Sequence, residues 1–122
     1  MTALVTGVDL VDIERLKEVI DRYGERFLHR IFTQQELDEV GENIASLAGR
    51  FAAKEAVSKA LGTGIGPVSW REIEILRGSQ REPVLRLYGS AAILARQREL
   101  NQWSLSLSHT NSYAIAVVVA VG

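Results

Sequence analysis

The segment from Asn43 to Leu61 carries the strongest helical pattern in the chain, since it is rich in alanine, lacks proline and contains one glycine, Gly49. At 100° per residue, four small apolar side chains share one side of this helix. They are Ala53, Ala56, Val57 and Ala60. Small side chains let a helix backbone pack closely against its neighbour, so the sequence predicts a long helix with one tightly packed side.

The opposite side of this helix is polar and carries Glu55, Ser58 and Lys59, together with Phe51 and, just beyond the helix, Gly62. Glu55 and Lys59 lie four residues apart in the favourable order, which predicts an ion pair of about 0.3 kcal/mol. Taken alone, this surface ion pair is a better interpretation of the two charges than catalysis.

The run "GTGIG" that follows the helix has two interpretations. A helix C-cap followed by a turn is the commonest use of glycine at this place. The alternative is a loop whose bare backbone lets a phosphate approach its N–H groups. The run lacks the spacing of a nucleotide-binding P-loop and follows a helix where a P-loop precedes one, so the phosphate interpretation is weak on local grounds.

The start of the chain, "ALVTGVDLVDI", mixes β-branched residues with Gly7 and leads into a charged amphipathic segment, which predicts a strand followed by a helix. Asp9 lies near this junction as a helix cap or a ligand, and Asp12 competes for either role. In "TQQELDEV", Thr33 and Glu36 have the spacing of a capping box.

Later segments alternate with period two in "WREIEILR" and "PVLRLY", which predicts a hairpin, and "SAAILARQREL" predicts a helix capped by Ser90. The runs "QWSLSLSHT" and "SYAIAVVVAV" predict two more strands around a turn. Because the last strand is apolar throughout, it is expected at the centre of a sheet or in an interface.

The first predicted helix has an apolar stripe, an acidic stripe and a basic stripe. The apolar stripe contains Leu16, Ile20, Tyr23 and Phe27, and the basic stripe contains Arg15, Arg22, Arg26, Arg30 and His29. Val19 lies within the basic stripe as an exposed apolar side chain, and Gly24 predicts a break before the last arginines. A solvated face with weak ion pairs is the ordinary interpretation of such charges, and a docking surface is the alternative.

Length and charge narrow the class of protein. A chain of 122 residues predicts one domain over residues 1–122. The net charge of -1 gives no overall basic field, so neither a nucleic acid nor an anionic membrane is expected as a partner. The chain has no cysteine, no targeting segment and no apolar run long enough to span a bilayer, and the cytoplasm is the default expectation.

His109 in "SLSHTNS" is either an ordinary turn histidine or a partner for a phosphate or a proton. Two carboxylates with few nitrogen ligands suit Mg²⁺ better than Zn²⁺. None of these signals identifies a function when taken separately.

In their order along the chain, however, four blocks resemble the holo-acyl-carrier-protein synthases, which are short 4'-phosphopantetheinyl transferases. The blocks are "TGVDLVDIERL", "LAGRFAAKEAVSKALGTGIG", "REPVLRLYGSA" and "WSLSLSHTNSYAIAVV". This resemblance covers nearly the whole chain. It implies an α+β fold, with helices packed on an antiparallel sheet, and a homotrimer with active sites at subunit interfaces.

The resemblance also implies the reaction. A serine of apo-acyl carrier protein would attack the β-phosphorus of coenzyme A, with Mg²⁺ as cofactor, to give the holo carrier and adenosine 3',5'-bisphosphate. It places the metal on Asp9 and Glu55, and it makes Glu55 the base, acting directly or through a metal-bound water. Lys59 would neutralise the diphosphate, with Arg50 and His109 as further phosphate contacts.

Two further groups of residues follow from the same resemblance. Gly62 and Gly64 are expected to give coenzyme A room at the end of the long helix. The acidic carrier protein is expected to dock on Arg15, Arg22 and Arg26, with Val19 and Phe27 as apolar contacts. A non-catalytic module that binds carrier protein or nucleotide, and a purely structural oligomer, are the alternatives.

Overall fold

The computed structural model describes residues 3–122. Its first half is a strand followed by four helices: β1 Leu4–Asp12, α1 Ile13–Tyr23, α2 Glu25–Ile31, α3 Gln34–Val40 and α4 Ile44–Ala60. Its second half contains a 3-10 turn at Trp70–Glu72, the hairpin β2 Ile73–Arg77 and β3 Pro83–Leu87, the helix α5 Gly89–Gln97, and the strands β4 Gln102–His109 and β5 Tyr113–Val121. The predicted order of strands and helices is confirmed, and the fold is α+β.

The long apolar strand β5 is the centre of a three-stranded antiparallel sheet, in the order β1-β5-β4, as the sequence predicted. Only one of its faces is buried. Alternate residues of β5 pack into the core: Ala114, Ala116, Val118 and Ala120. Its other face is exposed together with that of β1, although most of the side chains there are also apolar. β2 and β3 form a separate two-stranded sheet.

The helix α4 packs across the buried face of this sheet with the small side chains that the sequence analysis placed there. Ala53, Ala56 and Val57 have no exposed surface. At the closest approach, a Cβ atom on Gly7 of β1 would collide with the carbonyl oxygen of Ala56. Glycine is therefore required at this position of β1, because any side chain would push the helix off the sheet.

Of three predicted features at helix ends, the break at Gly24 and the cap at Thr33 are confirmed, and the cap at Ser90 is wrong. Gly24 adopts φ 61°, a conformation that favours glycine, and it separates α1 from α2 as expected. Thr33 and Glu36 form the predicted capping box at the start of α3. Ser90 is not the cap of α5, since the helix already begins at Gly89. The Ser90 N–H instead donates to the carboxylate of Glu72.

One residue of the predicted apolar stripe, Tyr23, does not pack against the core. Leu16 is buried and Ile20 and Phe27 pack against the core, whereas Tyr23 has 58% of its surface exposed. Tyr23 is the last residue of α1. The chain turns at Gly24, directly after Tyr23, and the apolar stripe is interrupted there. Among residues 3–122, no helix is long and apolar enough to cross a membrane.

A buried ion pair joins α3, α4 and β2, and the sequence analysis did not predict it. The Lys54 ammonium lies 2.8 Å from Glu36 Oε1, and neither side chain has exposed surface. Lys54 also donates to the carbonyl oxygens of Trp70 and Ile73. Glu36 accepts from the N–H of Ile75 at 2.9 Å. Burial lowers the pKa of Lys54, and the charge of Glu36 acts in the opposite direction.

We expect Lys54→Met to lower the free energy of unfolding by about 3 kcal/mol, because it leaves a buried carboxylate without its cation. Urea unfolding followed by circular dichroism measures this change. Lys17→Met is the matched control, since Lys17 is exposed on α1, and it should change stability little. A loss no larger than that of the control would show that the pair does not hold the three elements together.

Candidate active site

Three of the predicted site residues meet where β1 passes α4. The side chain of Asp9 retains 18% of its exposure. The Lys59 ammonium donates to Asp9 Oδ1 at 2.9 Å and to the carbonyl oxygen of Val8 at 3.0 Å. The ion pair expected between Glu55 and Lys59 is therefore wrong. A carboxylate and a carbonyl on β1 together offer Lys59 a better set of acceptors than Glu55 does.

Glu55 is half-buried on the same side and faces a groove of about 420 Å³ between β1, α1 and α4. Asp9 lines this groove as well. The pKa of Glu55 is raised, first by burial and then by the charge of Asp9, while Lys59 acts in the opposite direction. The two carboxylates are thus close enough to repel each other. A cation between them would relieve this repulsion.

The donor set fits Mg²⁺. This ion is held in proteins by one or two carboxylates, with substrate phosphate oxygens and water as the remaining ligands. Asp9 and Glu55 supply two carboxylates on one groove. In the described part of the chain, no group of three histidine or acidic side chains is placed to hold a metal. Lys59 competes with a cation for Asp9, because its ammonium already bonds that carboxylate.

The first part of the glycine run after α4 forms a helix C-cap, as in the first of its two interpretations. The Gly62 N–H donates to the Lys59 carbonyl oxygen, and the N–H groups of Thr63 and Gly64 both donate to that of Ser58. These donors are therefore already used. Gly64 adopts φ 66°, and no atom lies within 4 Å of the position that a Cβ atom would take there, so space remains beside it.

Ser58 is not on the polar surface where the sequence placed it. It is fully buried, and its hydroxyl donates to the carbonyl oxygen of Glu55 at 2.7 Å. Gly62 also has a neighbour that was not predicted. The Arg98 guanidinium donates to the Leu61 carbonyl oxygen and occupies the space where a side chain at Gly62 would lie. The bond of Ser58 stays within its own helix, whereas Arg98 reaches Leu61 across 37 positions of the sequence.

Arg50 and His109 lie in a second hollow, of about 210 Å³, where α4 faces β4 and the β2–β3 hairpin. Arg50 is buried and its Nη2 donates to Glu39 Oε1 at 2.8 Å, whereas its Nη1 has no partner in the described chain. A buried guanidinium with a free N–H suits an anionic ligand. Arg77 and Arg81 line the same hollow. Of the described residues, none lines both this hollow and the groove that contains Glu55.

All of the predicted docking residues except Arg22 line the groove or the hollow beside it. Arg15, Val19 and Phe27 line the groove itself. Arg26 lines an adjoining hollow of about 470 Å³, together with Val19 and Phe27. Val19 is half-buried rather than exposed. Arg22 lies with its guanidinium 5.9 Å from the ring centre of Tyr23.

His29 does not belong to the basic stripe, although the sequence placed it there. Its Nε2 lies 3.0 Å from a carboxylate oxygen of Glu25. Both residues line a different groove, which Asp21 and Asp38 also border. The break at Gly24 changes the direction of the second helix, so a period counted through both helices misplaces this residue. Asp21, Glu25 and His29 therefore line a groove from which Arg15, Arg26 and Arg30 are absent.

The family model for the 4'-phosphopantetheinyl transferase superfamily matches residues 6–118. The chain belongs to this superfamily. Curated relatives named holo-[acyl-carrier-protein] synthase include one from Herpetosiphon aurantiacus, which is 44% identical over 98% of this chain and 99% of the relative. Another, from Dehalococcoides mccartyi, is 48% identical over 96% of this chain and 98% of the relative.

Solved structures agree with this assignment. The holo-[acyl-carrier-protein] synthase from Neisseria meningitidis matches with a TM-score of 0.87 and 35% identity, over 95% of this chain and 96% of that chain. The synthase from Helicobacter pylori, solved in complex with coenzyme A, matches with a TM-score of 0.87 and 34% identity over 94% of this chain and 98% of that chain.

We expect Glu55→Gln to raise the thermal unfolding midpoint at pH 7 by about 2 °C in metal-free buffer. A raised folded-state pKa means that the ionised carboxylate destabilises the folded chain, while the protonated form does not. The difference between variant and wild type should therefore shrink as the pH falls to about 4.

Differential scanning calorimetry with EDTA at both pH values measures this effect. Glu18→Gln, at an exposed position of α1, removes the same charge without a carboxylate neighbour in the groove. It should leave the midpoint unchanged. Equal midpoints for wild type and Glu55→Gln at pH 7 would contradict the repulsion between Glu55 and Asp9.

Proposed function

We propose that this chain is a holo-acyl-carrier-protein synthase, which transfers 4'-phosphopantetheine from coenzyme A to a serine of apo-acyl carrier protein. The products are the holo carrier and adenosine 3',5'-bisphosphate. The observation that carries this proposal is a groove lined by Asp9, Glu55 and Arg15, with Lys59 bonded to Asp9, in a chain of the phosphopantetheinyl transferase superfamily.

In the reaction, the serine oxygen forms a bond to the β-phosphorus and the bond from that phosphorus to the leaving bisphosphate breaks. Negative charge grows on the leaving phosphate, and a serine hydroxyl must lose its proton as it attacks. Glu55 faces the groove, where its carboxylate can accept this proton directly or through a water. Lys59, one helical turn after Glu55 on α4, supplies a positive charge that can neutralise the leaving phosphate.

Asp9 and Glu55 are the residues that would hold Mg²⁺, which would neutralise the diphosphate when bound. Lys59 bonds Asp9 in this structure, so the same ammonium is available to a phosphate only after it leaves that carboxylate. Two positive charges would then face the diphosphate from neighbouring positions. Gly64, with open space beside it, supports the expectation that the end of α4 leaves coenzyme A room.

A trimer with active sites at subunit interfaces also belongs to this proposal. The exposed face of the main sheet carries seven large hydrophobic side chains: Leu4, Val8, Leu10, Tyr113, Ile115, Val117 and Val119. An exposed apolar face of this size favours burial against another chain. Arg50 and His109 line a hollow that shares no residue with the groove of Asp9 and Glu55. In a trimer, the hollow of one chain would lie next to the groove of its neighbour, so that each active site would contain both.

The docking of the acidic carrier on Arg15, Arg22 and Arg26, with Val19 and Phe27, also belongs to the proposal. All of these residues except Arg22 line the groove of Glu55 or the hollow beside it, which supports their role. A location in the cytoplasm and a single domain over residues 1–122 complete the proposal. Assays with apo carriers of fatty-acid and other pathways would identify the carrier that the chain modifies.

Incubation with coenzyme A, Mg²⁺ and an apo-acyl carrier protein should add one phosphopantetheine to the carrier serine, as measured by mass spectrometry. Glu55→Gln should lower kcat at least about 100-fold, because it removes both a base and a cation ligand. Glu18→Gln should retain wild-type turnover.

Circular dichroism must show that Glu55→Gln is folded. An unchanged carrier mass with the wild-type chain would contradict the transferase proposal. Full turnover by folded Glu55→Gln would instead show that this carboxylate takes no part in the chemistry.

We expect Val117→Lys to convert the trimer to monomers, because it places a charge at the centre of the apolar face of β5. Light scattering after size-exclusion chromatography measures the mass. Ile93→Lys is the matched control, since Ile93 is 52% exposed on α5, outside the sheet. A wild-type chain that elutes as a monomer would contradict the proposed assembly.

A further inference from the structure

Arg71 lies in the 3-10 turn between the glycine run and β2, and the proposed function makes no use of it. This residue and Arg30 of α2 line one hollow of about 300 Å³. Ile65, Gly66 and Val68 also line it. The hollow therefore joins the end of the second helix to the loop that follows α4.

Arg30 also lines the hollow that contains Arg26 and Phe27. Because the two hollows share Arg30, the basic surface does not end at α2. It continues from Arg26 through Arg30 to Arg71. We call these three residues the arginine track. Its far end lies on an element that is separated from α2 by some forty positions in the sequence.

The arginines of the track are exposed, and none forms an ion pair or a side-chain hydrogen bond within residues 3–122. The acid next to Arg71 in sequence does not neutralise it. The carboxylate of Glu72 accepts from the N–H groups of Ser69 at 2.8 Å and Ser90 at 2.5 Å. Although burial acts to raise the pKa of Glu72, these bonds lower it and hold the carboxylate on the chain's own backbone.

An aromatic stack connects the Arg71 turn to the groove of Glu55. Trp70 stacks on Phe51 with ring centres 4.8 Å apart, and Phe51 stacks on Phe27 at 6.4 Å. Phe51 and Phe27 both line the groove. Stacked rings restrict the movement of the turn relative to the groove. Arg71 is thus carried by an element whose position is fixed with respect to the proposed active site.

We propose that Arg71 extends the docking surface for the acidic carrier protein beyond the first two helices. This inference rests on the proposed function, which supplies the acidic partner. Guanidinium groups without internal partners bind carboxylates well and can do so in a bidentate manner. A partner seated on the groove of Glu55 would meet the arginine track on one side, so its acidic side chains would contact two separate elements of the fold.

The test compares Arg71→Gln with Arg96→Gln. Arg96 is exposed on α5 and lines neither hollow of the track, so its variant removes the same charge elsewhere. Arg71→Gln should raise the KM for apo-acyl carrier protein about threefold, as expected for the loss of one exposed charge contact. It should leave kcat and the KM for coenzyme A unchanged. Arg71→Lys should restore part of the affinity.

Direct binding separates this inference from the proposed function. Fluorescence anisotropy of a labelled apo-acyl carrier protein should show weaker binding to Arg71→Gln than to wild type, and the difference should shrink as KCl is raised. Arg96→Gln should bind like wild type. This measurement needs no turnover, so it remains informative if the wild-type chain fails to modify the carrier.

Three results would overturn the inference. The first is equal carrier affinity of wild type and Arg71→Gln, with circular dichroism showing both folded. The second is an increase in the KM for coenzyme A alone, which would make the hollow a nucleotide site. The third is an equal loss of affinity in Arg96→Gln, which would reduce the effect to net charge.

Discussion

The contact between β1 and α4 at Gly7 and Ala56 fixes the geometry on which the candidate site depends. A side chain at Gly7 would collide with the helix backbone. At this close approach, Asp9 two residues further along β1 lies beside the helix surface that carries Glu55 and Lys59. Even one methyl group between the layers would widen the gap that the Lys59 ammonium spans to reach Asp9. The small residues of α4 are therefore part of how the site is built.

Lys54 and Glu55 are neighbours in sequence, but they have opposite environments, and this opposition fixes the rotation of α4. One residue of an α-helix is turned by about 100° from the next. With the Lys54 ammonium held in the core by Glu36, Glu55 must face the groove. A buried ion pair is costly to form and contributes less to stability than its geometry suggests. Its value here is that a rotated helix would leave Lys54 without a partner, so the pair selects one orientation of the site.

Sequence patterns predicted the elements well because those patterns are local. Period-two alternation, the capping box of Thr33 and the apolar run of β5 each depend on a few adjacent residues. Several of the errors concern side chains with partners distant in sequence. Lys59 lies four residues from Glu55 but bonds Asp9, 50 positions away. The same limit hid the bond between Lys54 and Glu36, which becomes visible only once α3 is packed against α4. The metal, phosphate and docking residues came from the resemblance of whole blocks, and their roles stay predictions.

A net charge of -1 gives the chain almost no long-range field, so attraction of an acidic protein must come from how its charges are distributed. The first two helices contain both signs in quantity. Helical periodicity places arginines beside the groove of Glu55, and the break at Gly24 directs His29 with Glu25 toward another groove. Had the acids and arginines alternated on one face, i,i+4 pairing would have cancelled the local field. Their separation leaves a positive surface beside the two carboxylates of Asp9 and Glu55. Under the proposed function, an acidic partner would be attracted to the border of the site, while the two carboxylates of the site would attract a cation.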